Sequence, residues 1–151
     1  MSRHSVTALL VVHDGATWLP EVVASVTSQS RKADHFIAID TGSVDASAKL
    51  LKGARIAVHR LDRETGFGEA LAYAVAQLPE RASDNHLDKH LDKHSDKHSD
   101  KHLDNHFDNH EWLWILHDDC AFDPLALESL LRAVTDRPQI AMVGPKLLGW
   151  H

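Results

Sequence analysis

A single cysteine, Cys120, stands in a chain of 151 residues. It excludes an internal disulfide framework, and no zinc-ribbon spacing can be built from it. Positive charge is also short: 16 Lys and Arg face 22 Asp and Glu, for a formal net charge of −6. The electrostatic footprint of a nucleic-acid binder is therefore missing, and no broad cationic face for anionic lipid is evident. Long apolar runs are absent as well. The longest near the N-terminus, Ala8 to Val12, is too short for a signal-peptide core and far too short to span a bilayer. The expectation is a cytoplasmic protein without a membrane segment in this chain, with peripheral association at the inner membrane face as the alternative placement. No Gly-rich phosphate loop ending in Lys-Ser/Thr and no Gly-x-Ser-x-Gly elbow occurs, and Cys120 has no nucleophile signature around it.

Histidine is what the chain has in excess, 13 in all. Seven of them (His86, His90, His94, His98, His102, His106 and His110) recur every fourth residue between Ser83 and His110. The repeating unit is (Ser/Leu/Phe)-Asp-(Lys/Asn)-His. In a helix its aspartates would repel at every i,i+4 step, and Asp, Asn, Ser and His are mediocre helix formers. Ser95 and Ser99 interrupt the apolar positions Leu87, Leu91, Leu103 and Phe107, so no continuous face is available for burial. Residues 83–110 read as a low-complexity insertion, disordered or a marginal helix, that acts as a solvated spacer. Transition-metal binding by the imidazoles and a charge reversal on their protonation are the functional alternatives.

Outside the insertion, apolar segments alternate in kind. Val6–Val12, Phe36–Asp40, Ile56–Leu61, Trp112–Leu116 and Ile140–Val143 read as strands, the first buried on both faces. Trp112 and Trp114, alternating on the fourth, read as packing residues. Between the strands lie helical patterns. Leu19, Val22, Val23 and Val26 recur at helical spacing, Ser43 is placed to cap a second helix that Gly53 stops, and Gly66-Phe67-Gly68 opens a third with Leu71, Val75 and Leu78 on one face. Asp123-Pro124 starts a fourth that runs to about Thr135. Such alternation predicts one α/β domain with an open, mostly parallel sheet of about five strands and helices on both faces.

In such sheets ligands bind beyond the carboxyl ends of the strands. The residues there are His13-Asp14-Gly15, Asp40-Thr41-Gly42-Ser43, Arg63 to Gly68, and His117-Asp118-Asp119. Carboxylates and glycines dominate these sets. Adjacent carboxylates suit a hard divalent cation that bridges a diphosphate, and such an ion offsets charge on a departing phosphate. The plainer readings are helix flanking for Asp40 and Asp45, turn glycines at Gly66 and Gly68, a solvated pair at Asp118-Asp119, and an incidental surface histidine at His13.

The order Val11-Val-His-Asp-Gly15, Asp40-Thr-Gly-Ser-Val-Asp45, Thr65-Gly-Phe-Gly68 and Leu116-His-Asp-Asp119 resembles the N-terminal, donor-binding half of family 2 glycosyltransferases of the GT-A fold. The resemblance covers about residues 5–82 and 111–148. It implies a partial GT-A domain over 1–151, interrupted by the insertion at 83–110. It further implies metal-assisted, inverting transfer of a sugar from a nucleotide-sugar donor to a glycan or other hydroxyl acceptor, with Mg2+ or Mn2+ as cofactor. By position, His13 and its neighbour Asp14 would line the nucleotide pocket, His13 near the base, and Asp40 would accept a hydrogen bond from the base. Gly66, Phe67 and Gly68 would shape that pocket. Asp118 would point toward the ribose and share the metal with Asp119, the metal ligand and catalytic carboxylate. His117 stands where the motif's first Asp would be. No residue matches the family's catalytic base, so a chain that binds donor without transferring sugar is also expected, and a non-catalytic nucleotide-sugar-binding or His-rich metal-binding protein is the alternative function.

Overall fold

Residues 3–78, 109–137 and 139–149 are described by a computed structural model. The tetrapeptide segment through residue 108, and with it the spacer reading, lies outside them. The longest strand, β1 (Arg3–Val12), takes in the apolar run at its centre, and β2 (His35–Asp40), β3 (Ala57–Arg60) and β4 (Asn109–His117) complete a four-stranded sheet. Every pairing is parallel and the order is β3-β2-β1-β4. Two strands, β2 and β3, thus step to one side of β1, and β4 returns to its other side. The order reverses between β1 and β4, and that is where an open parallel sheet leaves a crevice at its carboxyl end.

Alternation along β1 explains why its sequence is apolar without a break. Val6, Ala8, Leu10 and Val12 face α1 (Leu19–Thr27), α2 (Ser47–Gly53) and α4 (Ala126–Val134), packing with Leu19, Val22, Val26, Leu51 and Leu127. Leu9 and Val11 face the opposite way, onto Ala70 and Ala74 of α3 (Phe67–Ala76) and onto Ile39. Both faces of the sheet are therefore covered, as a parallel sheet requires. On β4 only one face is: Trp114 and Leu116 are buried, whereas Leu113 and Ile115 are exposed.

Four local readings need correction. No fifth strand forms among the described residues. Ile140–Val143 carries no regular structure, and Met142 is 89% exposed. The run is only four residues long, and Gly144-Pro145 follows it at once, denying a ladder the N–H it would need next. Ser43 does not cap α2. The helix starts at Ser47, whose N–H is taken by Asp45 Oδ1 at 2.9 Å, while the Ser43 hydroxyl accepts from the Asp14 N–H at 3.0 Å. Gly53 closes α2 from within, and the left-handed residue after it is Arg55 (φ 59°). On α3 the buried face is Ala70 and Ala74 instead of Val75, which is 46% exposed, because small side chains let the helix lie close against Leu9 and Val11.

Candidate functional site

The carboxyl ends of all four strands bring together residues from widely separated parts of the chain. At the end of β1 the chain turns through Asp14, a non-glycine residue at φ 52°. Several contacts hold it there. Its N–H goes to Ser43 Oγ, its Oδ1 accepts from the Val44 N–H at 2.8 Å, and its Oδ2 pairs with Arg63 Nη2 at 2.5 Å. The Arg63 hydrogen bond, followed by the Val44 N–H, holds the Asp14 carboxyl down at a pKa of about 2. Arg63 also donates to the Gly42 carbonyl at 3.1 Å. Asp14 is thus the anchor of the loop that the first, second and third strand ends share.

Two glycines are demanded by this crowding. A Cβ on Gly15 would fall 2.8 Å from Asp118 Cγ. At Gly42 the backbone is left-handed (φ +71°), and a Cβ would fall 2.8 Å from the Arg63 backbone. Gly66 and Gly68 meet no such constraint, since a Cβ on Gly68 touches nothing. The Gly66 N–H is taken by Glu69 Oε2 at 3.0 Å, which fixes the start of α3.

Asp40, at the end of β2, is 1% exposed. Its Oδ1 accepts the Ser43 N–H at 2.8 Å. Its Oδ2 is buried without a hydrogen bond, although Arg60 Nη1 stands 3.3 Å away as a charge partner. Arg60 turns its other terminal nitrogen to the Ser43 carbonyl at 2.9 Å. Nearby, His13 Nδ1 lies 2.8 Å from Thr41 Oγ1 and 3.1 Å from the Thr41 carbonyl, leaving an imidazole that is half exposed.

Across the crevice between β1 and β4, the His13 N–H donates to Asp118 Oδ2 at 2.7 Å. Asp118 is buried and Asp119 exposed, so the two carboxylates differ in freedom. His117 Nδ1 is 3.0 Å from Asp118 Oδ1 and 2.8 Å from Asp119 Oδ1, and its ring stacks on Phe67 with centroids 5.5 Å apart. The Cys120 thiol donates to Asp119 Oδ1 at 3.3 Å, and with the neighbouring His117 it keeps the Asp119 carboxyl below the usual carboxylate range. Burial, then Asp119, pushes the Cys120 thiol up, which fits an unreactive side chain. One ligand atom from each of His117, Asp118 and Asp119 lies within 4.8 Å of the others. That spacing and donor set suit a divalent cation.

The strand-end residues singled out in the sequence (His13, Asp14, Asp40, Phe67, Asp118 and Asp119) therefore share one end of the sheet. Arg60, which ties Asp40 in place, was not singled out, and Arg63, which ties Asp14, was placed at a strand end but given no role. Their signal is weak, because an arginine at a strand end looks like any solvated charge until the carboxylates opposite it are known.

The sequence profile described as Glycosyl transferase family 2 matches residues 7–79. No protein of curated function matches the chain. Among solved structures, the crystal structure of S. aureus TarS 1-349 superposes with a TM-score of 0.58 at 12% identity, over 87% of this chain and 32% of that one. S. aureus TarS itself gives the same score and identity over 20% of its length. The TarS 1-349 complex with UDP-GlcNAc matches equally well, over 31% of its chain. This chain thus spans about a third or less of the structures it resembles, and at that identity the likeness speaks for the fold. Among the described residues no helix is long and apolar enough to cross a membrane.

Proposed function

We propose that the chain, whose residues 7–79 match the glycosyl transferase family 2 profile, is a member of that family and that its strand-end crevice binds the nucleotide of a nucleotide-sugar donor for transfer to a hydroxyl acceptor. The observation that carries the reading is Asp40. A carboxylate oxygen so deeply buried and without a hydrogen bond is costly unless a donor reaches it. The N–H of a nucleobase edge is such a donor. Arg60, beside Asp40, offers the complementary N–H groups to a base carbonyl, which suits the imide edge of uracil. The TarS structures that this chain resembles include complexes with UDP-GlcNAc and with UDP, which makes a uridine diphosphate sugar the first donor to try.

The remaining residues divide the work by position. His13 would line the base side of the pocket, with Thr41 fixing its ring. Asp14 holds the loop in shape through Arg63. Gly66, Phe67 and Gly68 border the crevice at the start of α3, where an uncrowded glycine leaves room for a ligand. Asp118 and Asp119, with His117, would hold Mg2+ or Mn2+, which when bound offsets the charge on the diphosphate leaving group. Attack by an acceptor hydroxyl on the face opposite that leaving group gives inversion. Residues 1–151 would then form part of a GT-A domain, with the insertion of residues 83–110 joining α3 to β4 and its last two residues, Asn109 and His110, forming the start of that strand.

Calorimetric titration with UDP and UDP-GlcNAc, with manganese present, tests this reading. Asp40→Asn keeps the shape but replaces the acceptor, and should weaken UDP binding by about 1–3 kcal/mol, roughly 5- to 150-fold. Equal affinity in the variant and the parent would refute the assignment of Asp40 to the base.

A further inference from the structure

We propose that His117 is a nitrogen ligand of the cation site and tunes it toward manganese and the later divalent metals at the expense of magnesium. The inference rests on the donor-site reading above and adds to it the identity of the ion. Three observations support it. The imidazole Nδ1 already points at both carboxylates, 3.0 Å from Asp118 Oδ1 and 2.8 Å from Asp119 Oδ1. The ring is stacked on Phe67 at an interplanar angle of 29°, so its orientation is fixed from one side by a residue of a different element. Asp118 cannot swing away, because its other oxygen takes the His13 N–H and its carboxyl packs on Gly15.

The chemical consequence follows from the donor atoms. Magnesium is hard, keeps its waters and prefers oxygen ligands, whereas imidazole nitrogen is a borderline donor. Two carboxylates alone would accept either ion. Adding an imidazole raises affinity along the series in which manganese is the first member and leaves magnesium little changed.

The test uses the full chain with manganese and UDP, read by pulsed electron-nuclear magnetic resonance. The expected result is one manganese ion that shows both phosphorus coupling from UDP and a nitrogen coupling that disappears in His117→Asp. Competition with magnesium should then show the manganese preference falling about tenfold or more in that variant. Because His117→Asp retains every other histidine, imidazoles of the tetrapeptide repeat do not contribute to the difference. Phe67→Leu, which loosens the ring, should lower the ratio of manganese to magnesium affinity, a selectivity shift that a merely structural role would not produce. Phosphorus coupling without any His117-dependent nitrogen coupling would overturn the proposal and leave the donor reading intact. His117-dependent nitrogen coupling without phosphorus coupling would preserve the ligand and overturn the donor reading. Absence of bound manganese in the parent chain would overturn the proposal.

Discussion

Asp14 and Gly15 sit side by side at the end of β1, and each makes a different demand on the chain. Asp14 bears a charge that the fold uses, because Arg63 and the Val44 N–H hold its pKa at about 2. An unfolded aspartate titrates near ~3.9. The folded state therefore favours the ionised form, and the stability this contributes is complete above about pH 4 and lost as pH falls through about 2. In Asp14→Asn that contribution is absent. Acid unfolding followed by circular dichroism should show the parent more stable than the variant at neutral pH, with the difference closing toward pH 2. Gly15 makes a steric demand instead. Gly15→Ala drives a methyl group into Asp118 and should cost about 1–3 kcal/mol in urea unfolding, whereas Gly68→Ala, with open space around it, should cost nothing measurable. At this scale the carboxylates were legible in the sequence, because their positions after apolar runs mark strand ends. The partners were not. Arg63 reaches Asp14 from 49 residues away, and nothing local in either segment announces the pair.

Elements whose burial matched a simple pattern were the readable ones. β1 and β2 are continuous apolar runs because both of their faces are covered. On α3 the same logic misled in part, since Leu71, Val75 and Leu78 form a conspicuous stripe while the fully buried positions are Ala70 and Ala74, with Leu71 packed beside them and Val75 exposed. Alanine contributes little to hydrophobic periodicity, yet it sets how closely a helix can approach a sheet. Ala70→Leu should therefore destabilise the chain by about 1–3 kcal/mol through overpacking, and Val75→Ser should change stability by less than about 0.5 kcal/mol. Chemical denaturation of the two variants checks both, and a reversed order would mean that α3 presents its other face to the sheet. The short apolar run at Ile140–Val143 failed for a related reason. Apolar character alone does not make a strand when a Gly-Pro pair ends the ladder.

At the scale of the whole molecule, the reversal of strand order between β1 and β4 decides where the chemistry can sit. It also decides what must be assembled for the sheet to exist. Arg3 pairs with Asn109 and Val11 with His117, so the central strand finds its second neighbour only after residues 79–108 have been bridged. Taking those residues as the spacer their composition suggests, the cost of closing them is entropic and grows only with the logarithm of their number. Halving the connection changes it by about 0.6 kcal/mol. Deleting residues 87–98, three whole tetrapeptides, should therefore shift the urea midpoint only slightly, and a loss well above ~1 kcal/mol would mean that the repeat packs on the domain. A connection tolerated at almost any length is one that replication slippage can lengthen or shorten four residues at a time, with the register of β1 against β4 left untouched.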